Sequence, residues 1–173
     1  MIKETFELLI TSITDSAWYL RRLTLAGFTS EPNACIGAFI PGLQVIFTYG
    51  RRDHINLITF DDTDFNIRFV LFPITEVSAF GAAGFVEKTT WTGSFIVLKK
   101  SSLDEYYNEQ KGVEALGKYE LHIRPIKILV ERLLTLLQCE NKLLVQRWDI
   151  SEVINMLDMN GDGVLVNFQI STP

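Results

Sequence analysis

The feature that most constrains the fold is a run of alternating apolar and polar residues at positions 164–170. Its apolar members are spaced two apart, at Val164, Val166, Phe168 and Ile170. A period of two places alternate side chains on opposite faces of a strand. The dipeptides Asn160-Gly161 and Asp162-Gly163 stand directly before the run and are common turn signals. The pattern therefore predicts a turn that opens a strand with one buried apolar face.

The same turn matches most of an EF-hand calcium loop. Asp158, Asn160 and Asp162 occupy loop positions one, three and five, and Gly163 occupies the position of the obligatory turn glycine. Position twelve is Gln169, whose amide cannot supply the bidentate carboxylate that completes the calcium shell. Strand periodicity also follows the loop, where an EF-hand has its second helix. Weak Ca²⁺ binding by Asp158, Asn160 and Asp162 is therefore the alternative interpretation, and the preferred one includes no cofactor.

The composition predicts one folded domain over residues 1–173. An apolar content of 47% without a Pro/Gly/Ser-rich linker is enough for one sizeable core. The net charge of −5 argues against a nucleic-acid partner, which needs a positively charged face. The sequence has no signal-peptide pattern and no apolar run of the roughly 18 residues needed to cross a bilayer. We expect synthesis in a cytoplasm, with Cys35 and Cys139 as buried thiols.

Helical periodicity predicts two amphipathic helices that cover a sheet. The first spans residues 3–20, and its apolar face holds Phe6, Leu9, Ile10, Ile13, Ala17 and Leu20. The second has Pro125 in its first turn and spans residues 126–138. Its inward face holds Ile126, Leu129, Val130, Leu133, Leu136 and Leu137. A third, short helix is predicted at 152–157, because residues 149–152 fit a capping box.

Strand patterns predict a mainly antiparallel sheet, and with the helices they define an α+β fold. The predicted strands are residues 43–49, 55–60, 65–72, 93–100, 143–148 and 164–170. The first two are expected to form an antiparallel hairpin. The Gly-rich residues 78–85 are interpreted as a turn at a sheet edge or, alternatively, as an adaptable loop that packs on a neighbouring subunit. The polar residues 101–119 predict a projecting arm with a short helix.

The titratable residues argue against an enzyme. His54 is expected in an exposed turn and His122 in a half-buried strand, and neither stands near an evident nucleophile. The carboxylates within residues 61–64 could ligate a metal, but an acidic turn is the preferred interpretation because Asp bonds readily to its own backbone. No phosphate-binding, dinucleotide-binding or zinc-protease motif is present.

The second half of the sequence resembles neck and tail-completion proteins of tailed bacteriophages, including the crAss-like phages of Bacteroidetes. The likeness lies in the strand that ends at residues 96–100, the polar insertion, the helix at 126–138 and the strand at 143–148. It also lies in the closing residues 160–170, in which a Gly-Val-x-Val-x-Phe strand follows an Asp- and Asn-rich turn.

This resemblance implies a structural virion protein that is assembled in the cytoplasm of a bacterial host. Such a subunit forms a symmetric ring between portal and tail, or a cap on the tail tube, with itself and neighbouring portal, neck or tail proteins as partners. A ring closed by heterologous contacts requires two different adhesive surfaces on each subunit. The heavy aromatic content of the sequence suits that requirement, because aromatic residues are enriched at interfaces.

Overall fold

A computed structural model describes residues 2–14, 45–51, 67–101, 119–156 and 161–173. Within these ranges the helices are α1 (Ile2–Thr14) and α2 (Arg124–Cys139), and a π-helical turn (Tyr119–Ile123) leads into α2. The strands are β1 (Val45–Tyr49), β2 (Ile67–Leu71), β3 (Thr75–Phe80), β4 (Val86–Lys100), β5 (Leu144–Met156) and β6 (Gly161–Ser171).

The six strands form one sheet in the order β1-β2-β4-β6-β5, and β3 pairs with the first part of β4. Among the described strand pairs, β1 with β2 is parallel and all the others are antiparallel. The long strand β4 is central, because it pairs with β6 on one side and with β2 and β3 in succession on the other. The predicted α+β fold with a mainly antiparallel sheet is confirmed.

Both helices pack on one face of this sheet, which we call the helix face. The ring of Phe6 in α1 lies 5.2 Å from that of Phe168 and 5.7 Å from that of Phe95, measured between centroids. Phe95 stacks on Phe69 at 4.6 Å. Such aromatic pairs add roughly 0.5–1.5 kcal/mol each to the free energy gained by burying their surface. The predicted inward face of α2 is confirmed, with Ile126, Leu129, Val130, Leu133, Leu136 and Leu137 all buried in this core.

The opposite face of the sheet carries a second, smaller buried cluster. It consists of Val70, Phe72, Ile96 and Leu98, with Val153 and Leu165 packed against it. Strands β2 and β4 are therefore apolar on both faces, as expected for central strands of a sheet that is covered on both sides. This double burial explains why residues 95–98 form a continuous apolar run in the sequence.

The predicted terminal strand is confirmed, and it begins three residues earlier than predicted. The side chains of Val164, Val166, Phe168 and Ile170 are at most 1% exposed and lie in the helix-face core. Gly161 and Gly163 belong to β6 itself. A Cβ atom at Gly163 would lie 1.8 Å from the carbonyl oxygen of Val97. This glycine therefore permits the close approach of β6 to β4.

The predicted short helix at residues 152–157 is wrong, because β5 continues as a strand to Met156. Ile150 and Glu152 lie opposite Val166 and Val164 of β6. The local capping signal is worth about 1 kcal/mol, whereas pairing with β6 satisfies the N–H and C=O groups of alternate residues along β5. Tertiary pairing therefore overrides the local preference.

Two predictions about single residues are also wrong. His122 lies in the π-helical turn and not in a strand, and its side chain is buried, not half-buried. The thiol of Cys139 is exposed, because the buried face of α2 ends at Leu137 and Cys139 is the last residue of the helix.

Several predictions fall on residues outside the described ranges. They concern the end of the first helix, Cys35, the strand at 55–60 with its turn at His54, the acidic residues 61–64 and nearly all of the arm at 101–119.

Candidate assembly surface

Strands β3 and β4 form a hairpin that projects beyond the rest of the sheet. The pairing of β4 with β6 begins at Thr90, whereas its pairing with β3 reaches back to Val86. Thr89 is held by Thr172, whose backbone N–H donates to the Thr89 carbonyl at 3.0 Å and whose hydroxyl accepts from the Thr89 N–H at 3.0 Å. Residues 86–88 lie beyond this point. At the usual rise of a strand they carry the turn roughly 10 Å past the sheet.

The turn of the hairpin is short and well defined. The backbone N–H of Gly81 donates to the Phe85 carbonyl, and that of Gly84 donates to the Gly81 carbonyl, both at 2.9 Å. Gly84 has a φ of +79°, a left-handed conformation that glycine adopts without steric cost. The pairing shifts by one residue between Ala79 and Phe80, so a bulge adds twist next to the turn. The turn predicted in this Gly-rich segment is confirmed.

The end of the hairpin is apolar and exposed. We call residues 80–86 the hairpin tip. Phe80 is 66% exposed, Phe85 is 78% exposed and Val86 is 53% exposed, whereas Phe95 and Phe168 in the core are at most 1% exposed. Large apolar side chains clustered on the surface mark sites of interaction with other molecules.

Side-chain contacts stiffen the base of the hairpin. The indole N–H of Trp91 donates to the Glu76 carboxylate at 2.7 Å. The hydroxyls of Ser78 and Thr89 lie 3.4 Å apart across the two strands. Trp91 also packs against the helix-face core. A surface held in place before it binds loses less conformational entropy on binding.

A second apolar surface lies at the other side of the sheet, on the free edge of β5. Strand β5 is last in the strand order, and its outer backbone edge has no strand partner within the described ranges. Leu144, Ile150 and Ile154 of this strand are all exposed. An edge strand with apolar side chains is a ready template for pairing with another chain. We call this surface the β5 edge.

An ion pair anchors β5 to the helix layer. The ammonium group of Lys127 in α2 contacts the Glu152 carboxylate and lies 5.1 Å from the centroid of the Tyr119 ring. Partial burial by itself lowers the pKa of Lys127, but the hydrogen bond and charge of Glu152, together with Tyr119, outweigh it, and the pKa is raised above 10.5. Lys127 is thus held in its charged form beside Glu152.

Of the three predicted calcium ligands, the structure describes only Asp162. Asp162 lies buried within β6, opposite Lys99 of β4, and Asp158 and Asn160 lie outside the described ranges. The residues after Asp162 form a strand and not the second helix of an EF-hand. Within the described part of the chain, no group of three His, Cys, Asp or Glu residues could hold a metal. Calcium binding stays a prediction.

The sequence interpretation did not identify the exposure of the hairpin tip. Strand β3 was missed because its residues, Thr-Glu-Val-Ser-Ala-Phe, place apolar side chains on both faces and so lack a clear alternation. The available signal was a pair of phenylalanines that flank the small residues 81–84. Large apolar side chains directly beside a short turn are candidates for exposure, because turns lie at the protein surface.

Comparison with known proteins adds no assignment. No family model, curated protein or solved structure matches this chain. None of the described helices has the length and apolar character needed to span a bilayer.

Proposed function

We propose that this chain is a structural subunit that assembles with copies of itself into a symmetric ring or cap in the neck or tail of a tailed bacteriophage. The single observation that carries the self-assembly is the exposed apolar hairpin tip at residues 80–86. The resemblance of the second half of the sequence to phage neck and tail-completion proteins is the reason for proposing that the assembly belongs to a phage particle. The portal and other neck or tail proteins are the further partners implied.

The position of the two apolar surfaces supports a ring. Strand β3 lies on the β2 side of β4, whereas β5 lies beyond β6 on the other side. The hairpin tip and the β5 edge are therefore different surfaces at opposite sides of the sheet. A contact between two different surfaces leaves one of each free after every addition, so it propagates until it closes into a ring or continues as a filament.

The size of the exposed side chains is sufficient for a specific contact. Each phenylalanine can bury roughly 150–250 Å², and a standard interface buries roughly 800 Å² per partner. Phe80 and Phe85 together would provide a large share of that area. The hydrogen bonds of Trp91 and Thr89 at the base of the hairpin reduce the entropy lost when these rings are fixed.

The test compares the oligomeric state of the wild-type protein with that of a Phe80→Ser/Phe85→Ser double variant. Light scattering after size exclusion and native mass spectrometry should give a single closed oligomer for the wild type, visible as a ring by negative-stain electron microscopy. The double variant should be monomeric with an unchanged melting temperature, because neither ring contributes to the core. Leu8→Ser is the matched control, since Leu8 is 71% exposed and belongs to α1, which is part of neither surface.

Two results would overturn the proposal. One is a wild-type protein that stays monomeric over the accessible concentration range. The other is a double variant that assembles as well as the Leu8→Ser control.

A further inference from the structure

The inference concerns how one subunit contacts the next, and it rests on the proposed function. Strand β3 pairs with β4 along one backbone edge, and its other edge has no strand partner within the described ranges. The same is true of the outer edge of β5. Neither strand contains proline, which often blocks pairing at an exposed edge. Within the described ranges both edges are therefore open to a further strand, and β5 is regular between its two register shifts, from Arg147 to Val153.

The directions of the two strands match. Strand β3 and β6 both run antiparallel to β4, and β5 runs antiparallel to β6. It follows that β3 and β5 point in opposite directions within one subunit. When a second copy is placed beside the first in the same orientation, its β3 lies antiparallel to β5 of the first copy. Antiparallel pairing is the slightly more stable of the two geometries.

The exposed apolar side chains also lie on the same face. Glu76 is opposite Trp91, which packs against the helix-face core, so Glu76 points to the helix side. The extra residue of the bulge lies in β4, between Val86 and Lys88, so β3 keeps its alternation and Phe80 points to the helix side as well. Ile150 is opposite Val166, which is buried in that core, so Ile150 also points to the helix side.

Phe80 lies level with Val86 of β4, whereas Ile150 lies level with Phe95. Phe80 therefore comes beside Ile150 when the second copy is shifted along the strands by about nine residues, or roughly 30 Å. Aromatic and β-branched pairs across strands are favourable.

We infer that β3 of one subunit adds antiparallel to the β5 edge of the next copy, so that one sheet runs continuously through the subunit boundary. Phe80 then packs on Ile150 of the neighbouring copy. Pairing of β3 with β3, or of β5 with β5, would leave the other apolar edge exposed on both partners. The head-to-tail contact covers the outer edges of β3 and β5 with one kind of interface, and the outer edge of β1, the other terminal strand in the order, is not part of it.

Disulfide cross-linking tests the direction, the face and the partner strand together. The background is the full chain with Cys35→Ser and Cys139→Ser. Ala79 and Ser151 lie on the face opposite the helices, because their partners across the strands are Lys88 and Leu165. Directly opposite residues of antiparallel strands have Cβ atoms about 4.5–5.5 Å apart, close to what a disulfide needs.

Ala79→Cys is combined in turn with Arg147→Cys, Asp149→Cys, Ser151→Cys and Val153→Cys, which are the residues on that face in the regular part of β5, between its two register shifts. The matched control combines Ala79→Cys with Ile150→Cys, which points to the helix face. After mild oxidation, at least one face-matched pair should give a ladder of covalent multimers on a non-reducing gel. The control pair and each single-cysteine variant should remain at the monomer band.

The outcomes separate this inference from the function it rests on. Covalent dimers from Ala79→Cys alone or Ser151→Cys alone would indicate two-fold pairing and overturn the inference. Covalent multimers from the control pair would contradict the prediction that Ala79 and Ile150 lie on opposite faces of the continuous sheet. If no face-matched pair cross-links while light scattering still shows an oligomer, the inference fails and the proposed function stands. If every variant and the wild type are monomeric, both fail.

Discussion

The two ends of strand β4 differ in their burial and in the number of strands that flank them. From Ser94 to Lys99 every side chain is at most 7% exposed, whereas Val86 at the start of the same strand is 53% exposed. The buried part has β2 and β6 on its two sides and apolar clusters on both faces. The exposed part has only β3 as a described neighbour. Apolar residues in the first setting stabilise the fold, and those in the second are exposed to solvent.

The largest effect is expected from Phe168→Ala in the buried region. Phe168 is 1% exposed and its ring contacts those of Phe6, Phe95 and Trp148. Removing it should lower the free energy of unfolding by about 3–5 kcal/mol, because the cavity left behind cannot fully collapse. Chemical denaturation would measure the change, with the exposed Leu8→Ala as the control. A loss of less than about 1 kcal/mol would show that this region is not tightly packed.

Gly163→Ala should have the next largest effect. The new Cβ would lie 1.8 Å from the Val97 carbonyl oxygen and 3.0 Å from the Leu98 Cα, both of them backbone atoms that cannot turn away. Separating β6 from β4 should cost about 1–3 kcal/mol or more. Gly84→Asn at the hairpin turn is the control, because its side chain meets open space and Asn tolerates a left-handed φ. Equal melting temperatures for the two variants would contradict the conclusion that β4 is tightly packed beside Gly163 and loosely surrounded at the hairpin turn.

Glu152→Gln should weaken the attachment of β5 to α2 by a smaller amount. The partly exposed ion pair with Lys127 is worth at most about 1 kcal/mol. Since the folded-state pKa of Lys127 is raised above 10.5, its stabilisation is complete below that value and is lost as the pH rises through the folded-state pKa. The difference in unfolding free energy between wild type and variant should therefore shrink at strongly alkaline pH. A difference that is constant across that range would mean that the charge of Lys127 does not contribute.

The smallest effect on stability is expected from Phe85→Ser at the hairpin tip. This ring is 78% exposed, so the free energy of unfolding should change by no more than about 0.5 kcal/mol. Assembly measured by light scattering should weaken, although less than in the Phe80→Ser/Phe85→Ser double variant. A clear loss of monomer stability would show that the tip belongs to the core, which would remove the contrast with the centre of β4.

The elements that sequence patterns predicted correctly are those in which a local signal and burial agree. Helix α2 combines a proline in its first turn with an apolar face that is buried as predicted. Strand β6 alternates so that its four apolar residues all reach the helix-face core. In both cases the period of the apolar residues equals the period of the backbone, so one pattern indicates both the element and its buried face.

Other features were decided by neighbours that are distant in the chain. The capping signal at residues 149–152 indicated a helix, but β6 lies alongside and draws these residues into β5. The parallel pairing of β1 with β2 depends on how the chain returns to the sheet, which no local pattern encodes. The candidate surface belongs to this group, since Phe80 differs from Phe95 only in what surrounds it.

The sequence alone therefore determined the α+β class, the faces of α2 and β6 and the absence of a recognisable catalytic motif, because these depend on residue type and spacing within one element. The tertiary structure decided which apolar residues are buried and which are exposed. Burial is a property of all the neighbours of a side chain, and most of those neighbours come from other elements. Only the arrangement of strands in the sheet could place an apolar hairpin tip on one side of the molecule and, within the described ranges, an unpaired apolar edge on the other.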